Sequence, residues 1–348
     1  MTDETLSIRL CNLPKVDPLP LPGGLRDDRK SALLLTANKW INGTTITFYF
    51  KDVGPDRWIE RQKDEVRNAF AIWKALDIGL EFAEVKHEAD ALLLIGFIQD
   101  DGSWSYVGTQ VRRQRRHGCN MNFGWDLTTE WGKATALHEI GHALGMPHEH
   151  QNPNSGIVWN EQRVLDSFRD PPRWTDEDTR WNILRKISAG AVQGSAWDPR
   201  SIMHYPFEPG LLQSPPPYDT QGVAKNLQLS ANDAAWMRYF YPPITATQPI
   251  SADVIVPVAR EIGAQTDFTF TPMESREYRL EAVGAGDMRI ALARVLQGAQ
   301  SRMLAVADDA ATDENAAIIQ HLERGKTYKI HARTRYASVG GAPGLRIR

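Results

Sequence analysis

Residues 138–150 read His-Glu-Ile-Gly-His-Ala-Leu-Gly-Met-Pro-His-Glu-His, and no other run limits the fold as much. On a helix, positions four apart differ by about 40° in azimuth, so His138 and His142 project from one face and are able to share a metal. Glu139 points to the side of that metal, toward a water rather than the ion. Gly145 can adopt a positive φ and end the helix in a sharp turn. That turn brings His148 toward the same point. Three neutral imidazoles leave a fourth position open, as a catalytic zinc requires. The metal would acidify a water, and Glu139 would accept its proton. Two helix-face histidines alone are compatible with an ordinary core. The added glycine and third histidine complete HExxHxxGxxH and favour a zinc helix.

Composition narrows the remainder. The chain has 348 residues, 40 Lys+Arg against 43 Asp+Glu, 42% hydrophobic and 24% charged residues. These values exclude a disordered, collagen-like or disulfide-stapled chain. A net charge of -3 provides no global field for nucleic acid or an anionic membrane, so no nucleic-acid partner is expected. No apolar run is long enough to span a bilayer. The N-terminal residues MTDETLSIRLCNLPKVDPLPLPGG lack a basic segment followed by an apolar one. As written the chain reads as cytoplasmic, unless it is exported by another route or a signal has been trimmed. The two cysteines, Cys11 and Cys119, fit a reducing compartment as well as one disulfide.

Tryptophan divides the chain. All 11 lie at or before Trp236, which sets a first architecture apart from a second one joined near 242–250 by a Pro- and Thr-rich linker. Residues 1–38 form an aperiodic, Pro- and charge-rich arm. Residues 39–242 predict a mixed α/β sheet with helices on it. Strands are expected at 44–50, 80–85, 91–98, 105–108 and 119–125, and helices at 56–76, 131–144, 160–168, 176–187 and 231–239. Residues 250–348 break into short strand-like runs separated by Gly, Asp and Pro, the pattern of an all-β sandwich.

Downstream of the zinc helix lies Ser201-Ile202-Met203-His204-Tyr205. It resembles the Met-turn of the metzincins, in which Met203 would form a hydrophobic floor beneath the three imidazoles. Glu149 directly after His148, and Tyr205 two residues after Met203, resemble the astacin family of zinc endopeptidases. The segment Gly102-Ser103-Trp104-Ser105-Tyr106-Val107-Gly108 also resembles the astacin stretch before the zinc helix. The resemblance covers about 39–242. It implies an α+β metzincin catalytic domain, one Zn²⁺ held by His138, His142 and His148, and Glu139 as general base and then acid. Tyr205 would be a further zinc ligand that swings away to stabilise the oxyanion, so it is both a metal and a catalytic candidate. Trp104, Ser105, Tyr106 and Val107 would line the upper cleft edge and pair with substrate backbone. Glu149 would belong to a network formed with the mature N-terminus. The family's two disulfides are missing, since Ser103 stands where one cysteine is expected. His150 and His204 read as residues beside the ligands or at the surface, not as ligands.

Arg9-Leu10-Cys11-Asn12-Leu13-Pro14 faintly resembles the cysteine-switch segment of matrixin pro-regions. Cys11 is therefore a candidate latency ligand and 1–38 a candidate pro-segment. The alternatives are a free thiol or a disulfide to Cys119. The run 111–117 carries four arginines in five residues; it is either a solvated loop or a basic cleft rim. Residues 250–348 resemble a bacterial pre-peptidase C-terminal domain, a family usually attached to secreted proteases. Its Asp308, Asp309, Asp313 and Glu314 form either a Ca²⁺ site or a polar turn. The leading expectation is a zinc endopeptidase acting on proteins or extended peptides. The alternatives are a dedicated intracellular processing peptidase for one peptide partner, and a binding protein with a vestigial metal site.

Overall fold

The computed structural model describes residues 10–17, 38–51, 56–99, 101–169, 174–189, 196–244, 246–284, 286–296, 301–308, 316–337 and 343–348. Its contacts group the chain into two units. Within the described residues the first comprises 10–17, 47–76 and 82–239, and the second 38–46, 77–81 and 240–348.

The first unit is built on a five-stranded mixed sheet. In chain order its elements are β1 (Thr45–Phe50), α1 (Asp56–Lys74), β2 (Glu81–Glu84), β3 (Leu93–Gly96), β4 (Trp104–Ser105), β5 (Met121–Asn122) and α2 (Glu130–Ala143). The strand order is β2-β1-β3-β5-β4. Alternation in β1 sends Ile46, Phe48 and Phe50 inward. β3 is buried throughout because it lies between two parallel neighbours. β4 runs antiparallel to β5 and closes the sheet. Its strand pairing is shorter than the expected 105–108, because the backbone enters a 3₁₀ turn at Gly108–Arg112. The periodic residues of α1 bury Val66, Phe70 and Trp73. Phe70 stacks on Phe48 with centroids 4.5 Å apart, and the Trp73 indole donates to Leu137 O at 3.1 Å. α1 thereby fixes α2, the histidine helix, over the sheet.

Beyond α2 the chain forms β6 (Val158–Trp159), α3 (Glu161–Arg169), α4 (Asp176–Thr179), β7 (Leu212–Ser214), α5 (Tyr218–Gln221) and α6 (Ala231–Phe240). The helix expected over 176–187 is shorter and changes its winding. After α4 the backbone widens into one π-helical turn, Arg180–Leu184, and leaves the helix at Arg185. Ser230 begins α6 with a capping box: its hydroxyl accepts from Asp233 N at 2.9 Å, and Asp233 Oδ2 accepts from Ser230 N at 2.9 Å. The same carboxylate accepts from Ser201 Oγ at 2.6 Å and Ile202 N at 2.8 Å. α6 therefore holds the 201–204 turn in place.

The second unit is all-β. After β8 (Gln248–Pro249) come β9 (Ile255–Pro257), β10 (Gln265–Phe270), β11 (Arg276–Val283), β12 (Gly286–Val295), β13 (Ser301–Asp308), β14 (Ala317–Leu322), β15 (Tyr328–Ala337) and β16 (Gly344–Ile347). They form sheets of order β13-β12-β15-β10-β8 and β14-β11-β16-β9. Both contribute to one core that includes Phe268, Leu280, Met288, Ile290, Ile330, Leu345 and Ile347, the arrangement of a sandwich. The candidate calcium residues Asp309, Asp313 and Glu314 lie outside the described residues, and Asp308 ends β13. Among the described residues no helix is long and apolar enough to cross a membrane.

Asp233→Ala leaves the buried Ile202 N–H and Ser201 hydroxyl without their acceptor. It is expected to destabilise the chain by about 2–4 kcal/mol, read as a lower urea midpoint. A loss below about 0.5 kcal/mol would show that α6 does not carry the turn.

Candidate zinc centre

α2 begins at the N-cap Thr129, whose side chain accepts from Gly132 N, and runs to Ala143. Gly145 then takes φ 104°, a conformation that L side chains rarely adopt. Gly145 N donates to His142 O at 2.8 Å, and Met146 N to Gly141 O at 3.0 Å. This reversal places Met146 O 2.7 Å from His142 Nδ1. On the other side Ile202 O lies 2.8 Å from His138 Nδ1. Both carbonyls require an Nδ1 proton, so the Nε2 atoms of His138 and His142 carry their lone pairs inward. His148 comes from the returning chain, and its Nε2 lies 3.1 Å from His142 Nε2.

All three histidines are buried, as are Glu139, Met203 and Tyr205. Met203 lies directly against Gly141, where an added Cβ would sit 2.5 Å from its sulfur. Met203 O accepts from Glu149 N at 3.0 Å. One turn thus orients His138 through Ile202 O and positions the His148 segment through Met203 O.

Cys11 completes the cluster. Its sulfur and one ring nitrogen from each of His138, His142 and His148 all lie within 4.8 Å of one another. The Cys11 thiol donates to Glu139 Oε2 at 3.4 Å, and the Tyr205 hydroxyl donates to Cys11 O. Both cysteines are free thiols and buried, so the Cys11–Cys119 disulfide alternative does not hold. Residues 10–17 are not a featureless arm. Leu10, Cys11 and Leu13 are buried, Cys11 pairs in parallel with Ser103, and Asn12 N donates to Ser103 O at 3.0 Å. The edge that contains Trp104, Ser105, Tyr106 and Val107 is therefore met, next to Trp104, by the chain's own strand.

The donor set fits Zn²⁺. His138 Nε2 is buried without a hydrogen-bond partner, and an ion that favours nitrogen and sulfur ligands would satisfy it together with its neighbours. Burial keeps the imidazoles neutral, as ligands must be. It holds His142 at about 4 and His138 and His148 well below the usual range, the last two lowered further by neighbouring histidines. Glu139 is pushed up to about 8 by burial, against the Cys11 hydrogen bond and the charge of Lys225.

His150 and His204 are buried rather than at the surface. His150 Nε2 donates to Asn182 O at 2.8 Å, and its ring stacks on His148 with centroids 5.2 Å apart. Glu149 Oε1 accepts from Asp198 N and Asn152 Nδ2, both at 3.0 Å. In the arginine run, Arg116 pairs with Asp101 at 2.5 Å and Arg115 donates to Gln114 O at 2.8 Å. Lys225, absent from the sequence reading, lines the site beside Cys11, His138, Glu139 and Tyr205. Desolvation lowers it to about 8, against the pull of Glu139 and Cys11. No motif marks it, whereas the missed Asp233 was visible as the fourth residue of Ser230-Ala231-Asn232-Asp233.

A mixed sheet carrying a buried histidine helix, a returning third histidine and a methionine turn defines a zinc-peptidase class of fold. The model of the peptidase family Astacin matches residues 34–210, just over half of the chain, and the chain belongs to that family. It is 26% identical over 170 residues to zinc metalloproteinase nas-20 of Caenorhabditis elegans, covering 44% of this chain and 43% of that protein. It is 28% identical over 113 residues to protein SpAN of Strongylocentrotus purpuratus, covering 32% and 16% respectively. The chain thus spans less than half the length of these curated relatives. The solved structure of myroilysin shares 32% identity and superposes with a TM-score of 0.53 over 60% of this chain and 97% of that one.

Below an ordinary histidine value near 6.5, the unfolded chain takes up protons that His138, His142, His148, His150 and His204 refuse when folded. Glu139 and Glu149, raised to about 8 and about 7, act in the opposite sense. Five groups against two leave the zinc-free fold losing stability as pH falls from about 6.5 toward 4.5. Thermal unfolding of chelated protein should show a lower midpoint at pH 5.5 than at pH 7.5. A midpoint that rises with acid would contradict the buried, neutral cluster.

Proposed function

We propose that the chain is a zinc-dependent endopeptidase that hydrolyses peptide bonds in proteins or extended peptides. The convergence of His138, His142 and His148 around Glu139, with Tyr205 alongside, carries this reading. Zn²⁺ bound by the three histidines would polarise the scissile carbonyl and acidify the attacking water. The chain's own groups do the rest. Glu139 accepts the proton of the water through its carboxylate and delivers it to the leaving amine nitrogen. Tyr205 donates its hydroxyl proton in a hydrogen bond to the carbonyl oxygen as negative charge grows there. In support, that hydroxyl already donates to a peptide carbonyl, that of Cys11. Met203 supports the histidines from beneath, and the β4 edge offers backbone groups to an extended chain.

The same contacts support latency as part of this reading. Cys11 is positioned as a fourth ligand, and residues 10–13 occupy the cleft where substrate would enter. The thiol must leave before a peptide can bind. A binding protein with a vestigial site has no need of a buried Glu139 whose Oε1 lacks any hydrogen-bond partner, so that alternative is the weaker one.

Glu139→Ala should lower peptide hydrolysis by roughly 10²–10⁴-fold with zinc content unchanged, and chelation should abolish wild-type turnover until Zn²⁺ is restored. Equal, chelator-insensitive activity in both proteins would refute the mechanism. Cys11→Ser should raise the activity of the full chain at least about tenfold, since one such ligand contact is worth more than about 1.4 kcal/mol. Equal activity would remove Cys11 from the account.

A further inference from the structure

The wall facing β4 carries chemistry that neither the zinc reading nor the cleft edge uses. α4 passes without a break into the π-helical turn Arg180–Leu184. Such wide turns are rare and recur at functional sites. This one directs two adjacent side chains at the bound segment. Asn182 Oδ1 accepts from Leu13 N at 3.1 Å, and Trp181 Nε1 donates to Leu13 O at 3.2 Å. Both polar groups of one extended residue are thus held by side chains. Asn182 Nδ2 also donates to Asn12 Oδ1 at 3.2 Å and to Asp178 O at 3.1 Å, which fixes the amide. On the far side Asn12 N donates to Ser103 O. The segment lies as a strand between a sheet edge and a side-chain pair.

Two residues beyond Leu13, Lys15 reaches Glu177 Oε1 at 2.9 Å and Asp178 Oδ1 at 3.2 Å. The surrounding cavity, about 450 Å³, also exposes Glu161, Arg180 and Arg185. Glu161 is paired with Arg180, and the Arg185 guanidinium lies 3.7 Å from the Trp181 ring centroid. Asp178 Oδ2 accepts from Thr175 N and Oγ1 at 3.2 and 2.6 Å, which leaves Glu177 and Asp178 Oδ1 to meet a cation.

We propose that Trp181, Asn182, Glu177 and Asp178 form a peptide subsite that grips the backbone of an extended chain and selects a lysine or arginine side chain two residues along. Residues 11–15 of the chain itself fill this subsite here. The assignment rests on the endopeptidase reading and names the substrate class for it: extended peptides with a basic residue. The backbone grip supplies most of the hold, because Glu177 is largely exposed and Asp178 only half-buried, and such ion pairs are individually weak. The charge pair supplies the discrimination.

The test uses the full-length, zinc-loaded protein with two variants, E177K/D178K and Asn182→Ala. The first readout is the rate at which iodoacetamide alkylates Cys11, resolved from Cys119 by peptide mass spectrometry. Loss of the subsite should speed alkylation roughly fivefold in the charge variant and roughly tenfold in Asn182→Ala, and Glu177→Lys alone, which leaves the Thr175–Asp178 cap of α4 intact, should speed it with no change in thermal midpoint. The second is kcat/KM for peptides that differ only by Lys or Glu at successive positions. Wild type should favour Lys at one position by roughly fivefold, and E177K/D178K should reverse that preference. Unchanged Cys11 alkylation in both variants, or the same Lys/Glu ratio in wild type and E177K/D178K, overturns the subsite. If neither wild type nor Cys11→Ser cleaves any of the peptides, the endopeptidase reading fails, and the alkylation rates alone then decide whether the wall grips the strand.

Discussion

Three imidazoles buried with their ring nitrogens turned inward are the constraint around which the first unit is organised. Stripping them of water disfavours their charged forms and strands their lone pairs. A divalent cation resolves both problems at once, because it takes neutral nitrogen donors and replaces the lost hydration. Nearly every neighbouring feature serves that convergence. The carbonyls of Met146 and Ile202 fix two tautomers. Met203 fills the space that Gly141 leaves open, and Asp233 fastens the turn bearing Met203 from a helix that begins near residue 230. The site is therefore a joint product of segments widely separated in sequence, and its rigidity derives from hydrogen bonds to backbone as much as from apolar packing.

The same enclosure explains why residues 10–15 bind where they do. A cleft that has exposed backbone at one sheet edge and unpaired polar groups on the opposite wall will order any extended strand that satisfies both. Here the strand is intramolecular. It brings a soft sulfur ligand to the metal position, offers a peptide carbonyl to Tyr205, and extends a cation toward Glu177 and Asp178. Metal chemistry, latency and peptide recognition thus become three readings of one set of contacts.

Much of this is legible in the amino-acid sequence. The spacing of His138, His142, Gly145 and His148 is a statement about helical azimuth and chain reversal, and it holds in any fold that contains it. Val66, Phe70 and Trp73 announce a helix face, and the alternation of Ile46, Phe48 and Phe50 a strand. Less visible were features that depend on partners far along the chain. Nothing local distinguishes Lys225 from a surface lysine, and the helical pattern at 176–187 does not reveal that the backbone widens at Arg180 to present Trp181 and Asn182. His150 and His204 could not be ranked because burial is a tertiary property. Residues 10–17 lack any period because they are held by a cleft and not by a helix or a full strand ladder; only the identity of Cys11 hinted at their place.

Zinc K-edge X-ray absorption on the full-length protein tests the central claim most directly. The account predicts one tightly bound zinc per chain, with three imidazole nitrogens at about 2.0 Å and one sulfur at about 2.3 Å, and loss of the sulfur shell in Cys11→Ser. Substoichiometric zinc, or a coordination shell without the three imidazoles and the sulfur in the wild-type chain, would contradict it.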